Sequence, residues 1–451
     1  MLDLKGKNVV VVGLGLSGVA AARLCLSRGA RVTGADAKKE SELALEVRAM
    51  AKDGLQLAAG GHAEGALDVA DLVVMSPGVP SFEALKKAEK RGVSVIGEVE
   101  LAYQCLPKKV PIIAVGGTNG KSTTTTLVAD LLEGNGRRVF RGGNLGEPLA
   151  LHVDEPWDVI VLEVSSFQME RLQHFQPRAC ILLNVTADHL DRYPSFDAYA
   201  DAKGNAFVRQ SAEDTAIVPV DDPICLRQAK RGRGRVMTFG PQGDIDVTND
   251  AVVDRRLGHS FPRARFGLQG GHNALNIAAA IAAAREFGID FATASSVVEH
   301  FTGLPHRMAL AGEIRGVRFY DDSKGTNVGA SVTALRGLRE DKAVLIAGGR
   351  DKGGTYEPLV SALRDKGRAV ILIGEAAERI RQAVGSVVPA HVVSTLEEAV
   401  SESLRFAKKG DAVLLSPACS SFDMFRDYKH RGDEFVRMVR ALSGATEEPA
   451  S

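Results

Sequence analysis

The chain has 451 residues, enough for about three domains of ordinary size. Lysine plus arginine and aspartate plus glutamate both number 56, so the formal charge is zero and no basic surplus points to nucleic acid. A hydrophobic content of 45% excludes a disordered chain, and five scattered cysteines without a Cys-x-x-Cys pair argue against a disulfide framework or zinc cluster and for a reducing, cytoplasmic setting.

The segment 5–22 imitates a signal peptide, but Gly13, Gly15 and Gly18 interrupt its apolar run and no clean cleavage site follows. No stretch elsewhere reaches about 18 uninterrupted apolar residues, so membrane insertion is not expected. The first third alternates strands (8–12, 31–34, 71–75) with helical stretches such as 18–27, which predicts a parallel sheet covered on both faces. Gly13-Leu-Gly-Leu-Ser-Gly18 follows the first strand and opens a helix. Glycines there permit a tight turn and let backbone amides meet a diphosphate at the helix N-terminus. Asp36 closes the second strand, where a carboxylate can accept a ribose hydroxyl or base N–H. The diphosphate could belong to NAD or to a nucleotide-diphosphate sugar.

Segment 104–111, with two prolines and two lysines, reads as a linker, and a strand at 112–115 opens a second unit. Gly117-Thr118-Asn119-Gly120-Lys121-Ser122-Thr123 then precedes a helix. A strict G-x-x-x-x-G-K-[ST] would need glycine at 115, where this chain has Val115. The working end is intact: the glycines let the loop wrap phosphates, Lys121 can neutralise their oxygens, and Ser122 can ligate Mg²⁺. The strand 158–162 ends in Glu163, where an acid can reach that magnesium. A further strand, 180–183, runs into Asp188, His189 and Asp191, another strand-end cluster in which His189 is a candidate metal ligand.

In the alanine-rich helix 274–285 and just before it, Asn273 and Asn276 lie three apart on one face, as an adenine-reading pair or a helix cap. A third alternating region begins near Gly303, with strands at 343–347, 369–373 and 412–415 and helices at 356–364, 376–383 and 396–406. His306, Arg307 and the polar run 321–327 add charged groups. Cys419 has no assignable His–Asp pairing and reads as structural. The segment 441–451 is small and polar and is expected to fray.

Taken in order, these motifs resemble the Mur ligase family over 13–432. The pieces are Gly117-Thr-Asn-Gly-Lys-Ser-Thr123, Gly142-Gly-Asn-Leu-Gly146, Glu163-Val-Ser-Ser-Phe-Gln168, Asn184-Val-Thr-Ala-Asp-His189, Phe301-Thr-Gly-Leu-Pro-His-Arg307, Asp322-Ser-Lys-Gly-Thr-Asn327 and Leu415-Ser-Pro-Ala-Cys-Ser-Ser-Phe-Asp423. The resemblance implies an α/β protein of three domains: a Rossmann-like UDP-binding domain at 1–97, a central P-loop ATP-binding domain with a mostly parallel sheet at 98–301, and a Rossmann-like C-terminal domain at 302–451.

It also implies an ATP-dependent ligase working through an acyl phosphate. The N-terminal glycine turn and the Ser-Pro-Ala-Cys-Ser-Ser-Phe-Asp segment favour the branch that adds D-glutamate to UDP-N-acetylmuramoyl-L-alanine. On that footing Gly15, Leu16, Ser17, Gly18, Asp36, Ser76 and Asn144 would hold the UDP substrate. The loop Gly117–Thr123 with Asn273, Asn276, Arg307, Asp322 and Lys324 would hold ATP. Two Mg²⁺ (or Mn²⁺) would be held by Ser122, Glu163, His189 and Lys203, the last as a carbamate. D-Glutamate would meet Thr326, Lys352, Ser421 and Phe422. Lys121, Glu163, His189 and Lys203 would form the catalytic set of a cytoplasmic monomer whose partners are small molecules. Ala309 departs from the acidic residue many relatives carry there. Rival readings are a sister amino-acid ligase, a folylpolyglutamate synthetase, an NAD-linked oxidoreductase and a non-catalytic ATP-binding protein.

Overall fold

The structure is a computed structural model and describes residues 2–61, 64–190, 192–351 and 355–445. Asp191 and Lys352 lie outside the described residues. By its internal contacts the chain divides into two compact units, the first made of 1–185, 197–266 and 274–300, the second of 186–196, 267–273 and 301–451.

The first unit holds two sheets. Strands β1 (Asn8–Val12), β2 (Arg31–Asp36), β3 (Gln56–Ala59), β4 (Leu72–Met75) and β5 (Ser94–Gly97) lie in the order β3-β2-β1-β4-β5, all parallel. Val9, Val10, Val11 and Val12 are all buried, as a central parallel strand covered on both faces requires. The segment that imitates a signal peptide is therefore β1 and the start of the helix Leu16–Ser27.

The second sheet comprises β6 (Ile112–Gly116), β7 (Val139–Gly143), β8 (Val159–Glu163), β9 (Ala179–Leu182), β10 (Thr215–Pro219), β11 (Arg235–Gly240), β12 (Ile245–Val247), β13 (Ala251–Asp254) and β14 (His259–Pro262). Their order is β14-β13-β12-β11-β10-β9-β6-β8-β7, with the β12–β13 and β13–β14 pairs antiparallel and the other pairs parallel.

The helix Glu98–Cys105 follows β5 directly, so Gln104 and Cys105 are helical and the linker expected at 104–111 begins only at Leu106. Buried carboxylates on this helix join the two sheets' layers. Glu100 accepts backbone N–H groups from Gln173, His174 and Phe175 at 2.9, 2.8 and 3.1 Å. Glu98 accepts from the Ala150 N–H at 2.8 Å. Arg28 adds a two-pronged pair to Asp154 at 3.0 and 2.6 Å.

The second unit holds β15 (Ala309–Ile314), β16 (Val317–Asp321), β17 (Ala343–Gly348), β18 (Gly367–Ile373), β19 (Ala390–Val392) and β20 (Ala412–Leu415), ordered β15-β16-β20-β17-β18-β19. Of these strand pairs β15–β16 is antiparallel and the others are parallel. Side chains alternate between faces along each strand. Leu345, Val370, Leu372 and Leu414 pack under the helices Val328–Gly337, Glu357–Lys366 and Ala377–Val384. Val344, Ile346, Ile371 and Val413 pack against Leu396–Phe406 and Tyr428–Ala445. That last helix runs through 441–445, where fraying was expected, and 446–451 lie outside the described residues. Among the described residues no helix is long and apolar enough to cross a membrane.

Candidate active site

In the first unit the opening between β1 and β4 is the point where strand order reverses, the crevice that receives ligands in open α/β sheets. The turn 13–18 sits there. Gly18 is buried so close to the Gly13 carbonyl and the Ser76 hydroxyl that any Cβ would collide with both. The Ser76 Oγ donates to the Gly13 carbonyl at 2.7 Å. Asp36 braces the same turn, accepting from the Leu14 N–H at 2.8 Å and from the Lys38 N–H at 2.9 Å. Gly15 and Leu16 stay exposed at the helix N-terminus, with Ser17 beside them half-buried.

The second cluster forms where β6, β8 and β9 end side by side. Val115 resolves the departure from the strict motif. It is a buried strand residue paired with Glu163 on β8 and Ile181 on β9, so the phosphate turn starts only at Gly117. Gly120 has φ +86°, and a Cβ there would strike the Asn276 Oδ1, which brings Asn276 against the loop. The helix Lys121–Gly134 starts immediately after and offers its N-terminal amides to an anion. The Lys121 Nζ donates to the Gly117 and Thr118 carbonyls at 3.0 and 2.8 Å. Ser122 donates to the Glu163 Oε2 at 2.5 Å, and the Asn144 Nδ2 donates to the Glu163 Oε1 at 2.6 Å. Ser122, Thr123 and Glu163 are buried.

Lys203 is buried too. Its Nζ donates to the Gly117 carbonyl at 2.9 Å and lies 4.5 Å from the Tyr199 ring centre. Two residues without a role in the sequence reading complete this cluster. Asn184 takes the Asn119 N–H on its Oδ1 at 2.9 Å, returns its Nδ2 to the Asn119 carbonyl at 3.1 Å, and accepts the Thr118 N–H on its carbonyl. The Tyr199 hydroxyl meets the Thr118 Oγ1 at 3.1 Å. The i, i+4 spacing of Tyr199 and Lys203 on one helix, and the position of Asn184 just past a strand end, are the signals that could have found them.

In the second unit His189 has φ +55° and an N–H bonded to the Asp188 Oδ1 at 3.0 Å, while the Asp188 Oδ2 accepts from Asn327 at 3.2 Å. Asn273 donates to the Gln269 carbonyl at 2.7 Å. Asp322 is buried under the Ser416 hydroxyl at 2.6 Å, and desolvation pushes its carboxyl up to about 7 against the opposing pull of that hydroxyl and of Arg307. The Lys324 Nζ lies 3.9 Å from the Tyr428 ring centre, and the Thr326 N–H bonds the Lys324 carbonyl. Buried Arg431 bonds the Ser323 hydroxyl and carbonyl at 3.0 and 2.9 Å, and burial lowers its guanidinium to about 10. Ser421 is buried, whereas Phe422 is 64% exposed. His306, Met308 and Ala418 join His189 in holding positive φ without being glycine, backbone strain of the kind found at ligand sites.

Among the described residues no three His, Cys, Asp or Glu side chains gather as a ready metal cage. The Ser122–Glu163 pair still fits Mg²⁺, which takes hard oxygen ligands, keeps several waters and is completed by substrate phosphates rather than by an all-protein cage.

Comparison with known proteins gives the class. The Mur ligase MurD-like N-terminal domain matches residues 7–97, the Mur ligase middle domain 115–284, and the Mur ligase glutamate ligase domain 306–419. The chain belongs to the Mur ligase family, ATP-dependent ligases of peptidoglycan-precursor synthesis. Within the family it is 45% identical to the UDP-N-acetylmuramoylalanine–D-glutamate ligase of Geotalea daltonii, over 98% of this chain and 99% of that one. It is 44% identical to the enzyme of the same name from Geobacter metallireducens, over 99% and 100%. In fold it is similar to the UDP-N-acetylmuramate–alanine ligase of Thermotoga maritima (TM-score 0.61, 21% identity, 96% of this chain and 99% of that one). It is also similar to the MurF ligase of the same organism in complex with ADP (TM-score 0.60, 18% identity, 99% and 100%).

Proposed function

We propose that this chain joins D-glutamate to UDP-N-acetylmuramoyl-L-alanine, splitting ATP to ADP and phosphate. The observation that carries the substrate is full-length identity above 40% to relatives bearing that name. What supports the chemistry is a buried hydroxyl–carboxylate pair under a phosphate loop. The domain limits we assign are 1–97, 98–301 and 302–451.

A carboxylate is a poor electrophile and repels the γ-phosphate, so their encounter needs cations. Lys121, at the mouth of the loop, supplies one at the phosphate oxygens. Ser122 and Glu163 would hold Mg²⁺, and His189 with Lys203 as a carbamate would hold a second ion. When bound, these ions neutralise charge on the transferred phosphoryl group. Asn276 and Asn273, with Arg307, Asp322 and Lys324, would orient ATP. Gly15–Gly18, Asp36, Ser76 and Asn144 would hold the UDP end. Phosphorylation turns the alanyl carboxylate into an acyl phosphate with a good leaving group. The D-glutamate amine, deprotonated and placed by Thr326, Lys352, Ser421 and Phe422, attacks the carbonyl carbon, and collapse releases phosphate and leaves the amide. The reading includes a monomer working in the cytoplasm.

The test is phosphate release from ATP, Mg²⁺ and UDP-N-acetylmuramoyl-L-alanine with D-glutamate, L-glutamate, L-alanine or L-lysine. Release that requires D-glutamate is the expected result. Release driven by another amino acid moves the specificity to a sister ligase, and no release from protein that binds ATP overturns the ligase reading.

A further inference from the structure

The loop that follows β20 carries Ser421, and the turn that follows β17 is bonded to it. Arg350 and Ser420 exchange backbone hydrogen bonds of 2.9 and 3.1 Å as an isolated antiparallel bridge. One side chain from the start of the next helix touches both segments. The Tyr356 hydroxyl donates to the Asp351 Oδ1 at 3.1 Å and lies 3.4 Å from the Cys419 Sγ. Asp351 is in turn paired with Arg379, whose guanidinium lies 5.5 Å over the Tyr356 ring. On its other side, the Cys419 carbonyl faces the buried Arg431 at 3.4 Å.

Tyr356 is only 5% exposed, and its ring belongs to the apolar cluster with Leu359, Leu363 and Ala376. Phenylalanine would fill the same volume without a hydroxyl to desolvate. Burying a hydroxyl costs free energy unless its partners repay it, and these partners lie one on each segment. What the oxygen adds is therefore the spacing between the two segments. Ser421, two residues beyond Cys419, inherits that spacing.

We infer that Tyr356 is a positioning residue for amino-acid selection: its hydroxyl holds the 419–422 loop against the 350–351 turn and so sets where Ser421 meets the incoming D-glutamate. The inference rests on the D-glutamate reading above. Tyr356 touches no substrate in this role; it acts through Cys419 and Asp351.

The experiment is steady-state phosphate release by the full-length protein and its Tyr356→Phe variant, each of the three substrates varied in turn, with thermal midpoints alongside. The expected result is a KM for D-glutamate raised about three- to ten-fold, the range that one net hydrogen bond supports. KM for ATP and for the UDP substrate should stay at the wild-type value, as should kcat. Cys419→Ala, which cuts the other end of the contact, should raise the same KM, and the double variant should add little to the larger single effect. An unchanged KM for D-glutamate with a lowered thermal midpoint makes the hydroxyl a packing feature and overturns the inference. So does an equal rise in all three KM values. A wild type whose phosphate release ignores D-glutamate overturns the parent reading and this one together. A D-glutamate-dependent wild type with an indifferent Tyr356→Phe overturns this one alone.

Discussion

Glu98 sits where the first two sheets' layers meet, and it should make the protein less stable as pH rises. The side chain is 2% exposed; its Oε1 accepts the Ala150 N–H at 2.8 Å, and its Oε2 has no hydrogen-bond partner among the described residues. Desolvation outweighs the Ala150 bond and pushes the carboxyl from 4.5 up to about 7. Because the folded-state value lies above the unfolded one, the stability is fully present below pH 4.5 and is lost as pH rises to about 7. At about 1.4 kcal/mol per pH unit, the loss is on the order of 3 kcal/mol. Glu98→Gln keeps the acceptor for Ala150 and mimics the protonated acid, so it escapes the loss. Thermal unfolding of both proteins at pH 5 and pH 8 reads this directly. The variant should match the wild type closely at pH 5 and melt about 5 °C higher at pH 8, the shift expected for a cooperative unit of nearly 300 residues. A difference that is the same at both pH values, or a variant less stable at pH 8, refutes the idea that burial of this carboxyl opposes its ionisation.

Glu100→Ala removes the acceptor of three neighbouring backbone N–H groups and should destabilise the protein by on the order of 3 kcal/mol, seen as a lower denaturant midpoint. Ser122→Ala removes the hydroxyl and Glu163→Gln the negative charge of the buried pair under the phosphate loop, and each should cut phosphate release by about 100-fold or more. Gly18→Ala drives a methyl into the Gly13 carbonyl and Ser76, and should raise KM for the UDP substrate about tenfold while leaving KM for ATP alone; equal effects on both would assign the turn a purely structural role.

Much of the strand pattern could be read from the chain because parallel strands buried on both faces are written as unbroken apolar runs. Val9 to Val12, Ile112 to Val115 and Ala412 to Leu415 are such runs, and each became a central strand. The helix expected at 396–406 is found as Leu396–Phe406, with Thr395 and Glu398 forming its capping box. The short strands β12 to β14 were not legible. They span three or four residues each and mix polar with apolar side chains, so pairing with neighbours defines them rather than local preference. Helix Glu98–Cys105 was hidden by its acidic start, because Glu98 and Glu100 look like surface residues until loops arrive to bury them. Asn184 and Tyr199 escaped for a related reason: their partners, Asn119 and Thr118, lie 65 and 81 residues away in the chain.

The phosphate loop shows how sheet order turns distant residues into one site. Strands β9, β6 and β8 are neighbours, and in register Val115 stands opposite both Ile181 and Glu163. The segments that follow these strands must therefore emerge together at the carboxyl edge of the sheet. Gly117 to Ser122 leave β6, Glu163 closes β8, and Asn184 lies just past β9, so the Ser122 hydroxyl meets its Glu163 carboxylate, and the Asn119 backbone its Asn184 amide, from three separate stretches. Side chains alternate along a strand, so a slip of one residue between β6 and β8 would move Glu163 to the opposite face and leave the Ser122 hydroxyl without its carboxylate. The apolar residues of β8, all fully buried from Val159 to Leu162, prevent that slip, because it would also exchange which of them face each covering layer. The register that places the carboxylate under the loop is held by core packing rather than by any group in the site itself.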